Sequence, residues 1–226
     1  MGHRLRRRLG LALTTGGLLL LAWLGITLWL GDPFTALYTH HEQHVLSQRL
    51  TVVEHRWAPK PVATHRRAPA PSYSTEAARF LKSLRNGSPI GRIAIPKIGL
   101  HMVVVQGTTT ADLERGPGHY DAESGRQTDL PGRGGVVAIA GHRTTYLEPF
   151  RHIDALHAGD VIQLRMPYGT FTYRVIRQQT VLPTDWSILR PRKFEELVLS
   201  ACTPLYSASH RLVVYARLVG AKPPTV

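Results

Sequence analysis

Three residue types in this chain, taken together, could carry a covalent reaction. Cys202 is the only cysteine among 226 residues. It ends the apolar run "LVLSAC" and is followed by Thr203 and Pro204. A single cysteine cannot pair within its own chain, so it serves either as a small buried hydrophobe or as a nucleophile. A nucleophilic cysteine attacks as thiolate and needs a base or a positive neighbour. Twelve histidines compete for that role. Most lie in polar stretches (His3, His40, His41, His44, His55, His65) or beside turns (His119, His152, His157), and His101 falls within a strand-like run. His142 differs: it directly follows the apolar run "VVAIAG" and opens the polar turn "HRTTY". Attack on an acyl group creates an oxyanion that needs positioned donors. Arg211, nine residues beyond Cys202, opens the run "HRLVVYARLVG". Its guanidinium stays charged and offers several donors at once. Arg217, deeper in the same run, and Arg143, beside His142, are rival cations.

These side chains need strands to place them. In "ELVLSAC", alternation puts Leu197, Leu199 and Ala201 on one face and Val198, Ser200 and Cys202 on the other. The two leucines mark the first face as the core, so Cys202 is expected on a less apolar surface at the strand end. An antiparallel return through "TPLYSAS" brings Arg211 back beside Cys202. From about Ser88 onward the runs "IGRIAI", "GLHMVVVQ", "GGVVAIAGH", "DVIQLRM", "TFTYRVIRQQTVL", "ELVLSAC" and "HRLVVYARLVG" are short, β-branched or aromatic, and bounded by Gly, Pro and Asp. That pattern predicts an all-β barrel or sandwich. Residues 109–116 and 147–156 read as helical pieces or single turns.

The N-terminus sets the compartment. Arg4, Arg6, Arg7 and Arg8 precede 22 uncharged residues, Leu9–Leu30, about the length that crosses a ~30 Å hydrocarbon core as a helix. Trp23 and Trp29 fall where aromatic rings favour the membrane interface. The arginines favour a cytoplasmic N-terminus and an extracellular remainder. An uncleaved signal anchor is expected, with a cleaved signal peptide as the alternative. Residues 31–87 read as an extended Pro-rich stalk, from Pro59, Pro61, Pro69 and Pro71. Within it, "HHEQH" lacks the H-E-x-x-H spacing of a helical zinc site, so His40, His41 and His44 are expected to be solvated. The net charge of +13 includes an arginine cluster flanking the membrane segment. It suits anionic lipid or wall surfaces, and no nucleic-acid partner is expected. The expected layout is a basic tail (1–8), an anchor (9–30), a stalk (31–87), a β-domain (88–220) and a short tail (221–226).

"AIAGHRTTYLEPF", "LVLSACTP" and "SASHRLVVYARL" together resemble the histidine, cysteine and arginine motifs of the sortases, membrane-anchored cysteine transpeptidases of Gram-positive bacteria. Their order and spacing, 60 residues from His142 to Cys202 and nine on to Arg211, are similar to the family's. "AGHRTTY" with "GPGHY" upstream looks most like the class E housekeeping sortases of actinobacteria. One departure stands out: the family's T-L-x-T-C corresponds here to "VLSAC", with Val198 and Ala201 in place of the two threonines. A hydroxyl that could contact substrate or oxyanion is expected to be lost there.

The resemblance implies a closed eight-stranded barrel with short helices behind one transmembrane helix. It implies that Cys202 attacks the Thr–Gly bond of a C-terminal Leu-Ala-x-Thr-Gly or Leu-Pro-x-Thr-Gly sorting signal on a secreted protein, and that a peptidoglycan precursor amine resolves the thioacyl enzyme. His142 is the implied general acid/base and Arg211 the implied oxyanion holder. Tyr120, Thr144 and Tyr146 are candidates to line the peptide groove or to serve as packing. Some class A relatives bind calcium through acidic loops; no comparable acid cluster occurs here, so no metal and no cofactor are expected. Three other readings compete with this one. An L,D-transpeptidase would carry a histidine close before its cysteine, and the nearest one upstream, His157, is 45 residues away. A non-catalytic β-domain binding wall polymer would leave Cys202 inert. A pilin-polymerising sortase often carries a lid aspartate, and no Asp lies between Thr75 and Pro89.

Overall fold

The computed structural model describes residues 2–30, 33–57, 72–123 and 125–224. Eight strands close into one barrel: β1 (Pro89–Ile95), β2 (Leu100–Gln106), β3 (Gly118–His119), β4 (Val136–Ala140), β5 (Val161–Met166), β6 (Gly169–Val181), β7 (Glu196–Thr203) and β8 (His210–Lys222). Their order around the barrel is β1-β2-β3-β4-β7-β8-β6-β5. The pairs β2–β3 and β4–β7 are parallel and the remainder antiparallel. Closure removes exposed sheet edges. The eight-stranded barrel expected from the sequence is the fold observed. β3 has only two residues, too few for any periodicity to announce it, and β8 runs two residues into the tail expected at 221–226.

Alternation fills the barrel. Val137, Ile139, Leu197, Leu199, Ala201, Leu212, Val214 and Ala216 point inward and join the main core. The opposite face of the same strands is also covered. Val136, Ala138, Val198, Val213 and Tyr215 form a second buried cluster with Val181 and Ile188, beneath the helical turn Trp186–Leu189 in the β6–β7 connection. The less apolar face expected for Cys202 therefore begins only beyond Val198, which is fully buried.

Four helices complete the described chain: α1 (Gly2–Leu30), α2 (Pro33–Trp57), α3 (Tyr73–Ser83) and α4 (Thr110–Leu113). Within α1, Gly2–Gly25 is long and apolar enough to cross a membrane, and none of the tested stretch is buried against the protein. Residues 33–57 are not the extended stalk expected. Helix α2 opens on Pro33, a residue pre-set for a first helical position, and no proline interrupts it afterwards. Leu46 and Leu50, one turn apart, are fully buried against the outward-facing Val103 and Val105 of β2. Gln43 bonds both the amide and the carbonyl of Val103, at 2.7 and 3.0 Å. Ion pairs Glu42–Arg115 and Glu54–Arg92, each 2.7 Å, hold the helix along its length. His40, His41 and His44 occupy its exposed side. The Pro-rich stretch, residues 59–71, lies outside the described residues apart from what precedes and follows it. Helix α3 is capped by Ser72, whose hydroxyl accepts from the Thr75 amide at 3.3 Å. It inserts Ala77 and Phe80 into the main core.

Candidate active site

The register of the sheet assembles the three sequence-selected residues. Cys202 and Arg211 are Cα partners across the antiparallel β7–β8 pair. Arg211 shares its strand face with Val213 and Tyr215, and Cys202 shares its face with Val198; all of these lie on the outer side of the sheet. On the other flank of β7, the parallel strand β4 pairs Ala138 with Val198 and Ala140 with Ser200. The Gly141 amide continues the ladder to the Ser200 carbonyl at 3.1 Å. One residue further, His142 leaves β4 at the level where β7 reaches Cys202. Strands are about 4.8 Å apart, so histidine, cysteine and arginine line one strand mouth, all half-buried. Gly141 is required there: a Cβ at this position would stand 2.7 Å from the Phe150 ring.

The surroundings of His142 are suited to proton transfer. Its carbonyl accepts from the Phe150 amide at 2.9 Å. Its Nε2 is buried and has no hydrogen-bond partner among the described residues. Burial pushes its pKa below the ordinary 6.5, and the Glu114 charge works in the opposite direction. The imidazole is therefore mostly neutral at pH 7 and can accept a proton. Arg211 donates through Nη1 to the carbonyls of Ala208 and His210, at 3.1 and 3.2 Å. Its Nε and Nη2 make no hydrogen bond among the described residues.

The rival cations are committed elsewhere. Arg217 faces Glu196 at the opposite end of β7 and stacks on Phe194 at 4.7 Å. Arg143 is 5% exposed. It donates to Asp154 at 2.8 Å, to the Arg151 carbonyl at 3.0 Å and to Thr203 Oγ1 at 3.2 Å. It thus ties the histidine loop to the residue after Cys202. Arg151 adds a second tie through a hydrogen bond to Tyr206 of the β7–β8 loop. Sequence reasoning missed this clamp because its partners are distant in sequence.

Of the three groove candidates, Tyr120 lies on the outer face, its hydroxyl 3.0 Å from Ser200 Oγ. Thr144 is half-buried in the histidine loop. The Tyr146 ring packs on the His142 ring with centroids 5.2 Å apart, and its hydroxyl donates to Glu114 at 2.9 Å. The loss of a hydroxyl at position 201 requires correction. Ala201 is 3% exposed and belongs to the barrel core, because it is one residue out of phase with Cys202. A threonine there would point inward, away from the reacting centre.

The Sortase domain profile matches residues 93–219, more than half of the chain and a range that includes all three residues. The chain belongs to the sortase family, whose members are cysteine transpeptidases. Among curated relatives, sortase D of Bacillus subtilis is 34% identical over 65% of this chain and 73% of its own length. Sortase SrtE1 of Streptomyces coelicolor is 31% identical over 62% of this chain and 43% of its own. Among solved structures, the Clostridium perfringens sortase D5 transpeptidase superposes with a TM-score of 0.61 at 28% identity, covering 78% of this chain and 99% of that one. The Streptomyces coelicolor sortase E1 structure with a tripeptide in the active site gives 0.58 at 29% identity, over 61% and 91%.

Proposed function

We propose that Cys202, His142 and Arg211 form the catalytic set of a sorting-signal transpeptidase. The observation that carries the reading is the pairing of Cys202 with Arg211 on the outer sheet face, with His142 at the mouth of the adjoining strand. Cys202 Sγ attacks the threonine carbonyl carbon of a Leu-Ala-x-Thr-Gly or Leu-Pro-x-Thr-Gly signal, and its proton passes to His142 Nε2. The C–N bond to glycine breaks as the imidazolium returns that proton to the departing amine, leaving a thioester on Cys202. A peptidoglycan precursor amine then attacks the thioester carbonyl. It gives up a proton to His142, which passes it to the departing sulfur and restores the thiol. Arg211 Nε and Nη2 hold the carbonyl oxygen through both tetrahedral states. Tyr120 and Thr144 border the groove the peptide would occupy.

The substrates of such a reaction, an exported protein and a lipid-linked wall precursor, are both held at the membrane surface. An N-terminal anchor raises the effective concentration of both without new contacts. Helix α1 provides a segment of suitable length and composition. Its four leading arginines favour a cytoplasmic N-terminus with the barrel outside.

The test uses the full chain in detergent micelles, incubated with Leu-Ala-x-Thr-Gly and Leu-Pro-x-Thr-Gly peptides and followed by intact mass. The expected outcome is a thioester adduct on the wild type, discharged by an added amine and absent from Cys202→Ala. An unmodified wild type with both peptides, together with a Cys202 that resists alkylation in the folded protein, would overturn the reading.

A further inference from the structure

The residues directly after His142 adopt an unusual backbone. Tyr146, Leu147 and Glu148 have φ of 54°, 61° and 46°, three consecutive non-glycine residues in the left-handed region. Each such residue costs of order 1 kcal/mol or more and persists only where its surroundings hold it. What holds this turn comes from outside the barrel motifs. The Tyr146 amide donates to Thr35 Oγ1 of α2 at 3.1 Å. Four residues along α2, the fully buried Thr39 donates to the Glu114 carbonyl at 2.8 Å. The Glu114 carboxylate, just past α4, accepts from the Tyr146 hydroxyl at 2.9 Å. The Tyr146 ring in turn lies on the His142 imidazole, centroids 5.2 Å apart and planes inclined by 37°. Gln43 extends the contact by donating to the Arg115 carbonyl at 2.7 Å. Helix α2 therefore grips both segments that surround the histidine.

We infer that Glu114 and Tyr146 are positioning residues for His142, and that helix α2, which follows the membrane segment, holds this pair in register. The inference rests on His142 as the proton carrier. Its Nε2 must point at the reacting centre through four proton transfers, while its backbone sits at a strand end with only one loop beyond it. A ring stacked on one face and fixed at its hydroxyl restricts rotation of the imidazole. Misplacement of a proton carrier by about 1 Å can cost on the order of a hundredfold in rate. Glu114 faces the imidazole from the α4 side, Tyr146 from its own loop, and Cys202 and Arg211 from the ends of β7 and β8. Arg143 is engaged by Asp154, and Glu148 is paired with Arg151 at 2.8 Å. Glu148 leaves its Oε1 buried without a hydrogen-bond partner among the described residues, and Glu114 is the carboxylate whose charge acts on the histidine, opposing the depression caused by burial.

The test uses the full chain in detergent micelles, with turnover of a sorting-signal peptide as one readout. The second readout is the NMR titration of His142 in protein labelled at histidine carbon, assigned with His142→Gln. Tyr146→Phe keeps the ring and severs its bond to Glu114; Glu114→Ala removes both acceptor and charge. Each is expected to lower kcat about tenfold with KM within twofold, at an unchanged melting temperature. Glu114→Gln keeps an oxygen for the Tyr146 hydroxyl and loses the charge. It is expected to recover most of kcat while lowering the His142 titration midpoint. Thr35→Ala, which removes the acceptor of the Tyr146 amide, is expected to lower kcat in the same direction. Wild-type kcat in both Tyr146→Phe and Glu114→Ala, or an unmoved His142 midpoint in Glu114→Gln, overturns the proposal and leaves the sortase reading intact. If the wild type forms no thioester, that reading falls by itself, and the NMR titration alone decides whether Glu114 and Tyr146 hold the imidazole.

Discussion

At the scale of residues, one position separates what a motif says from what a side chain does. The family's threonine before the cysteine is Ala201 here, and that position is buried in the barrel core between Leu199 and the inward residues of β8. A hydroxyl there cannot reach the outer face that carries Cys202 and Arg211. Ala201→Thr is accordingly expected to leave kcat/KM within twofold of the wild type. It adds volume to a packed interior, so it is expected to cost roughly 1–3 kcal/mol in urea unfolding. A large change in kcat with unchanged stability would place position 201 at the reacting centre instead. Val198, the other departure, is on the cysteine's face but fully buried under the Trp186–Leu189 turn, two alternations away from Cys202.

At the scale of elements, α2 is the part least visible beforehand. Its composition is polar, and the proline-rich stretch downstream suggested an extended chain throughout. Its buried side is nonetheless written in the spacing Thr39, Gln43, Leu46, Leu50, which recurs every three or four residues. Two of these four are polar, so apolar periodicity alone gave too little signal. Their partners are the Glu114 carbonyl, the Val103 backbone and the outward valines of β2. Leu46→Ala and Leu50→Ala each empty a fully buried site and are expected to destabilise the fold by about 2–4 kcal/mol. Limited proteolysis gives the more direct measurement: cleavage within residues 33–57 should accelerate in both variants while the barrel stays intact. Equal resistance to protease would mean that α2 is held by its ion pairs and hydrogen bonds rather than by the two leucines.

At the scale of the whole molecule, the barrel carries a buried titratable group distinct from His142. His119 is fully buried; its ring nitrogens meet Gln106 Oε1 at 3.0 Å, Thr128 Oγ1 at 3.0 Å and the Asp129 carbonyl at 2.9 Å. Burial lowers its pKa from 6.5 to about 4. Above pH 6.5 both folded and unfolded chains hold the neutral ring, and the group has no effect on stability. As pH falls from 6.5 towards 4, the unfolded chain takes up the proton and the folded one does not. Global stability should then fall by up to roughly 3 kcal/mol over that window. His119→Gln should flatten this part of the curve, read by urea unfolding at pH 7, 5.5 and 4.5. An unchanged slope would mean the ring is protonated in the native barrel.

The sequence by itself determined every strand but the two-residue β3, because each of the others is a run long enough for alternation to show. It also determined the order histidine, cysteine, arginine and the face on which Cys202 points. Those are local properties: a side-chain period of two and a hairpin return depend only on neighbours along the chain. The tertiary structure alone decided the rest. The β4–β7 pairing that brings His142 level with Cys202 is parallel and joins segments 60 residues apart, and no local pattern encodes such a register. Arg143 closing on Thr203, and α2 gripping Glu114 and Tyr146, depend likewise on long-range contacts. They are made by polar side chains whose types alone suggest exposure, and only the closed barrel brings their partners within reach.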